Sequence, residues 1–462
     1  MTLRRTSVWG LLLVGMLPAI VTAQQNSTTT TTTSMVAGVE VDADGVLRLH
    51  TFTDRGGTLG RKRIAEAART LPTDLFRTSK LRKVSLNRLE AAAAELLAAG
   101  KSPTEAMRYL AGLQRVKYIF FYPETGDIVI AGPAEGWATD VAGRVRGVSS
   151  GGPVIELQDL VVALRSFAPD GRDTPVIRCS IDPTKEGLAN MQEFLKRLGG
   201  RATPRQTQFI VNGLRKSLGL QNVTIGGVPA NTHFAQVLVE ADYRMKLIGI
   251  GLERTAVRNF KSYVAYASPT SVARNAMQRW YFVPDYECVR VAEDELAMEL
   301  VGNSVKLIGA DELVAADGTR AAAGRADKAG KQFTQGFTSK YPEIAKDVPV
   351  YAQLRNLIDL AVAAAFIQRQ DYYGRAGWSM EVFGNEDVFA VGTLMAPKQV
   401  ESAVAAVWRG NRLMTPIGGG VNIQPRQALS PEHLLKDEQG EVNHQHQQTT
   451  LDHLKPGQWW WD

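Results

Sequence analysis

The stretch VLVEADYRMKLIGIGLE (237–253) sets two acids, Glu240 and Asp242, one residue apart in apolar text, with Arg244 and Lys246 behind them. Two readings compete: a carboxylate dyad, or a helix packed on two sides. A helical residue turns about 100°. At that step Phe234, Val237, Leu238, Ala241, Met245 and Ile248 form one stripe, and Val239, Tyr243, Leu247 and Ile250 form a second, nearly opposite. The charges fill the seams between the stripes. Glu240 precedes Arg244 and Asp242 precedes Lys246 by four positions, the favourable order, contributing about 0.2–0.5 kcal/mol per pair. The two acids point to different sides, so the spacing predicts a helix between two layers of core and argues against a dyad. On this reading Glu240→Gln costs little stability, and Ala241→Asp unfolds the domain.

Working outward, the text alternates between two periods. VAGVEV and VLRLHTF flank Asp42-Ala43-Asp44-Gly45, a hairpin signal. GRKRIAEAARTL and SLNRLEAAAAELLAAG are rich in helix formers. Ser102-Pro103-Thr104-Glu105 and Thr203-Pro204-Arg205-Gln206 both read as capping boxes. VKYIFFY and DIVIAG are strands joined through Thr125-Gly126, IELQDLVVALRSF is helical, and PVIRCSI is a strand. Asp182 is expected to cap the helix that follows. Trp280 to Gly309 reads as an antiparallel meander, and AADGTRAAAGRADKAGK (315–331) as an exposed connection. YAQLRNLIDLAVAAAFIQRQ (351–370), with Arg355 and Asp359 inside it, reads as a buried core helix and not a membrane span. The pattern predicts an α+β or mixed α/β fold, helices packed on small mixed or antiparallel sheets. Expected divisions are a domain over 35–200, a second over 201–428, and a polar tail over 429–462.

The N-terminus bounds the setting. Arg4 and Arg5 precede an apolar run from Val8 to Val21, and small residues end at Ala23, the pattern of a secretory signal peptide over residues 1–23. A Thr-rich run, residues 24–34, reads as a flexible leader. Export to the periplasm or beyond is therefore expected, with cleavage after Ala23 and no transmembrane span in the mature chain. The formal charge of +6 includes Arg4 and Arg5, which are expected to leave with the signal peptide. The remainder is small and spread out, which argues against nucleic acid. Cys179 and Cys288 are the two cysteines, and the sequence leaves their pairing open.

Chemical leads are few. GVSSG (147–151) matches the G-x-S-x-G pattern with Ser149 as nucleophile and His233 as the base within reach of the core text. Gly152-Pro153 follows where a helix should start, so a Gly/Ser loop is the competing reading. The glycine runs GGTLGRKR (56–63) and GIGLER (249–254) lack phosphate-loop and dinucleotide-loop order, so no cofactor is expected. His444, His446 and His453 are the candidate metal ligands. In AGPAEGWATD (131–140), Glu135 beside Trp137 suits a sugar or peptide ligand, and a Trp folded over the sheet edge is the alternative. Trp459, Trp460 and Trp461 need burial, either against this chain or on a partner.

KYIFFYPETGDIVIAGPAEGW (117–137), VIELQDLVVALR (154–165), VLVEADYRMKLIGIGLE (237–253) and RWYFVPDYE (279–287) together resemble a family of exported bacterial proteins of unknown function, over roughly residues 80–425. The resemblance implies export and a shared globular core and brings no catalytic residues. Two functions are carried forward: a non-catalytic binding or scaffold protein of the envelope, contacting an envelope protein or glycan, and an envelope hydrolase acting on peptide, ester or glycan, with acids such as Glu135, Asp182 or Glu240 as its candidate catalytic groups. The sequence does not fix the oligomeric state.

Overall fold

Thr232 opens the helix His233–Gly249, its hydroxyl accepting from the Ala235 amide at 3.2 Å. The first apolar stripe of that helix is buried throughout, and in the second Val239 and Ile250 are buried while Tyr243 and Leu247 are half-buried. In the computed structural model, residues 34–199, 203–267, 276–314, 320–322, 328–405, 407–409, 412–414, 417–451 and 453–462 are described. The expected signal segment and the Thr-rich run through residue 33, Gly200, the 315–319 and 323–327 parts of the expected connection, and Asp452 lie outside them.

From Thr33 onward the chain is one compact α+β unit. Among the described residues, one sheet has ten strands. Its centre runs Leu220–Gly226, Ile177–Pro183, Ile417–Ile423, Ala276–Pro284 and Val305–Val314. The other has seven, ordered Leu435–Lys436, Val289–Val291, Ala297–Leu300, Tyr118–Tyr122, Asp127–Ala134, Ser79–Ser85 and Trp460–Trp461. Each sheet contains strands from both sides of residue 200, so the two halves expected from the sequence share their sheets.

Of the two expected capping boxes, the first is displaced: Thr104, not Ser102, caps the helix Glu105–Arg108 and accepts from the Met107 amide, and at the second the Thr203 amide donates to Gln206 Oε1 at 3.0 Å. Asp182 departs from expectation: it lies in the strand Ile177–Pro183 and pairs with Arg279 at 3.0 Å, and Thr184 caps the helix instead. The expected 280–309 meander divides between sheets. Ala276–Pro284 pairs with Val305–Val314 in the larger one, and the hairpin between them, Val289–Val291 with Ala297–Leu300, joins the smaller. Alternation specifies a strand but not the sheet that receives it.

The helix Pro349–Arg369 runs through the core. It is long and apolar enough to cross a membrane, and 94% of its apolar window is buried against this chain. It packs on Leu157–Ser166 and on His233–Gly249. Cys179 and Cys288 are both buried and both free.

Around Glu240 the seams are buried, which changes their energetics. The Glu240 and Lys246 side chains are 2% and 3% exposed and Asp242 is fully buried. The expected pairs are present at 2.7 Å for Glu240–Arg244 and 2.9 Å for Asp242–Lys246. Arg144 adds two bonds to the Glu240 carboxylate, both 2.6 Å, and reaches Gln353 on the long helix. Arg244 also holds Glu253 at 2.7 Å. Breaking a buried pair on one side leaves an uncompensated charge, at about 3–5 kcal/mol. The small surface-pair value therefore does not apply. Glu240→Gln is expected to lower unfolding stability by about 3 kcal/mol, read by urea titration. Ala241→Asp, at a fully buried position, is expected to abolish the cooperative transition altogether.

Candidate functional site

The structure brings Glu135 and Ser149 together, as a turn. In GVSSG the Gly151 amide donates to Gly147 O at 3.0 Å and the Gly147 amide to Gly152 O at 2.8 Å, closing a loop. The next helix begins only at Leu157, so the strand–Ser–helix geometry of a nucleophile elbow is not formed. Glu135 accepts from the Ser149 and Ser150 amides at 3.0 and 2.9 Å, the Ser150 hydroxyl at 2.5 Å and Gln114 at 2.5 Å. Burial pushes its carboxyl up, but the donors of Ser150 and Ser149 outweigh it and hold the pKa below the ordinary value. Close approach is what the glycines permit: a Cβ on Gly147 would stand 1.9 Å from Glu135 Oε1, and one on Gly112, at φ +82°, 2.1 Å from Glu135 O. Glu135 is the anchor of the loop, and its lone pairs are spent there.

His233 meets other partners. Its Nδ1 lies 2.8 Å from Asp159 Oδ2, and its Nε2 3.8 Å from Glu156 Oε1. Glu156 and Asp159 stand three apart, just before and inside the helix Leu157–Ser166, so both carboxylates reach one imidazole at the start of His233–Gly249. Burial opposes a charged imidazole, yet Asp159 and then Glu156 overcome it and raise the His233 pKa to about 9. Burial likewise pushes the Asp159 carboxyl up, with His233 pulling against it. The imidazolium is thus held between carboxylates at neutral pH and is not a free base.

Glu156 also faces outward, into a cavity of about 350 Å³ whose lining includes Arg108, Tyr109, Gln158, Val388 and Phe389. Each wall is fixed from behind. Tyr109 meets Trp137 edge-on at 5.8 Å, and Trp137 donates through Nε1 to Glu105 at 3.2 Å. Arg165 donates to the carbonyls of Phe383 and Phe389 at 2.6 and 2.7 Å. Buried Glu90 accepts from the amides of Val382 and Phe383 at 2.8 and 2.6 Å, and from Trp378 Nε1. Pockets of this size with apolar walls and a few convergent polar groups are the usual form of a small-ligand site. Trp137 itself, 3% exposed, supports the floor and does not present its face.

The tail residues pack onto the chain. Trp460–Trp461 pairs antiparallel with Lys83–Val84, and Trp459 and Trp461 are buried. The Arg82 guanidinium stacks on Trp460 at 4.8 Å and binds Asp462 through Nε at 2.8 Å. His446 is buried, its Nε2 3.0 Å from Phe121 O, whereas His444 and His453 are exposed beside Gln448 and Thr450. The three histidines do not share a site, and among the described residues no cluster of three or more ligating side chains is placed for a metal.

The sequence reading missed Tyr109, Glu156, Asp159 and Phe389. The i,i+3 spacing of Glu156 and Asp159 at a helix start was visible. Their convergence on His233 was not, because 74 positions separate Asp159 from it.

Residues 179–263 match a family model described as a protein of unknown function (DUF1598). The matched segment runs from the strand bearing Cys179 through the helix that carries His233, Glu240 and Asp242, and it is narrower than the range over which the resemblance was expected. No curated protein and no solved structure matches the chain.

The His233 shift has a signed consequence. Its pKa is raised from 6.5 to about 9, so the stabilisation is complete below pH 6.5 and lost as pH rises towards 9. The loss is expected to approach about 3 kcal/mol, at 1.36 kcal/mol per unit. Urea titrations between pH 6 and 9.5 should show it, and His233→Gln should remove this part of the pH dependence.

Proposed function

We propose that the protein is an exported, non-catalytic binding protein of the bacterial cell envelope, and that its ligand, a glycan, seats in the Tyr109–Glu156–Phe389 pocket. The observation that carries this reading is the lining: aromatic faces beside planar polar groups, in a cavity whose walls are braced from behind. A sugar ring offers C–H faces to aromatic rings and hydroxyls to carboxylate, amide and guanidinium groups. Glu156, Gln158 and Arg108 supply those three kinds of group. Binding is favoured over hydrolysis because the candidate catalytic groups are engaged elsewhere: Ser149 in the Glu135 turn, and His233 as a buried cation. The N-terminal Arg4–Ala23 pattern supports export.

Titration calorimetry with a soluble N-acetylated oligosaccharide should give saturable binding to the purified chain. Tyr109→Ala should weaken it by about tenfold, the scale of one aromatic contact. Equal affinity in that variant would move the ligand elsewhere. Cleavage of the oligosaccharide, lost in Glu156→Gln, would replace the binding reading with the hydrolase.

A further inference from the structure

The run GIGLER (249–254) ends at another cavity, one that shares no described lining residue with the glycan pocket. Gly251, at φ +77°, turns the chain out of the helix His233–Gly249. The Leu252 and Glu253 amides then both donate to Leu247 O, at 2.9 and 3.1 Å. This reversal holds Glu253 against the helix end, where its Oε1 accepts from Arg244 Nη1 at 2.7 Å. Arg254 follows and is exposed. A cavity of about 280 Å³ lies there, lined in part by Arg244, Glu253 and Arg254 and by Asp347, at the end of the helix Tyr341–Asp347.

Most charges at this cavity are already paired. Arg144 and Arg244 cover the Glu240 carboxylate, and His50 Nε2 lies 2.5 Å from Glu40 Oε2. Asp140 accepts from the Ala142 and Arg144 amides, both at 2.9 Å, with Arg146 beside it at 3.9 Å. These groups fix the walls. Three others keep capacity on the open side. Glu253 Oε2 accepts no hydrogen bond among the described residues, and its side chain is 19% exposed. Asp347 is exposed; its Oδ2 accepts from the Ala256 amide at 2.6 Å, and its Oδ1 takes no donor among the described residues. Arg254 has no hydrogen bond or ion pair among them. Burial gives the first push that raises the Glu253 pKa, Arg244 pulls against it, and Glu240 and Asp347 add to the rise. A cation set beside Glu253 and Asp347 relieves that crowding.

We propose that this cavity is a receptor for a free α-amino acid with an aliphatic side chain. The ammonium sits between Glu253 and Asp347, and the carboxylate pairs with the Arg254 fork, whose planar donors match its two oxygens. The aliphatic body lies against Val141, Val348 and the exposed ring of Phe52, which line the same cavity. Size and charge select this class. Small-ligand cavities run from about 300 to 1,000 Å³, so this one suits a single amino acid better than an oligosaccharide. Asp347 and Arg254 add one charge of each sign to walls whose other charges are paired. A zwitterion therefore meets both, whereas an amine or a carboxylate alone leaves one unmet.

The test titrates the full chain calorimetrically with L-leucine, isoamylamine and isocaproate, which share one aliphatic body and differ only in the charges they carry. Leucine is expected to bind saturably, and each single-charge analogue about tenfold more weakly, the scale of one charged hydrogen-bonded contact. Arg254→Gln should weaken leucine by about tenfold and leave isoamylamine unchanged. Asp347→Asn should weaken leucine and isoamylamine and leave isocaproate unchanged. Both side chains are exposed, so neither exchange disturbs the core. The proposal is overturned by the absence of saturable leucine binding, by either analogue binding as tightly as leucine, or by leucine affinity unchanged in either variant. Oligosaccharide binding should be unchanged in both variants, which separates this site from the glycan pocket.

Discussion

The Glu240 carboxylate is the point on which the interior is organised. It lies in the middle of the helix His233–Gly249 and takes Arg244 from its own helix and Arg144 from the loop between Trp137–Thr139 and Val145–Gly147. Arg144 in turn reaches Gln353 on the long helix. One buried acid thus ties three separate pieces of chain, and each arginine is desolvated only because the others are in place. Such an arrangement contributes little net stability compared with a packed apolar core, but it admits few alternative packings. Register and orientation of the helix are set by it, and with them the position of His233 at its first turn.

From that placement the candidate site follows. The helix start brings His233 against Asp159, and the segment before Leu157–Ser166 then turns Glu156 towards the cavity beside Tyr109. The far wall is held independently, by Glu90 and Arg165 working on main-chain groups of residues 382–389. Pocket and scaffold are therefore separable: the lining side chains are few, and the groups that brace them do not face the cavity.

Local text made much of this legible. The two-faced helix, the strands around 118–134, the apolar helix with Arg355 and Asp359 inside it, and the Thr203–Gln206 cap were read from periodicity and cap chemistry, which act within a turn or two. What escaped depends on distant pairing. Asp182 looked like a cap because its neighbours are cap-like, but Arg279 pairs with it from an adjoining part of the sheet. Arg144 gave no sign of its attachment to Glu240, 96 positions away. Glu135 and Ser149 were both singled out, yet the reason they meet, a turn closed on a carboxylate by glycines without a Cβ, is steric and local to the folded chain.

The strand Trp460–Trp461 lies at the edge of the smaller sheet, and the Arg82–Asp462 pair that fastens it joins residues 380 positions apart. That separation imposes an order on maturation. A chain delivered from its N-terminus presents Ser79–Ser85 long before residues 460–462 arrive, and until then the strand offers an open row of amides and carbonyls. Contacts of such span form late and slowly. The interval is one in which a second copy or a holding chaperone competes for the same edge, so the yield of folded protein should depend on how fast residues 460–462 follow Ser79–Ser85.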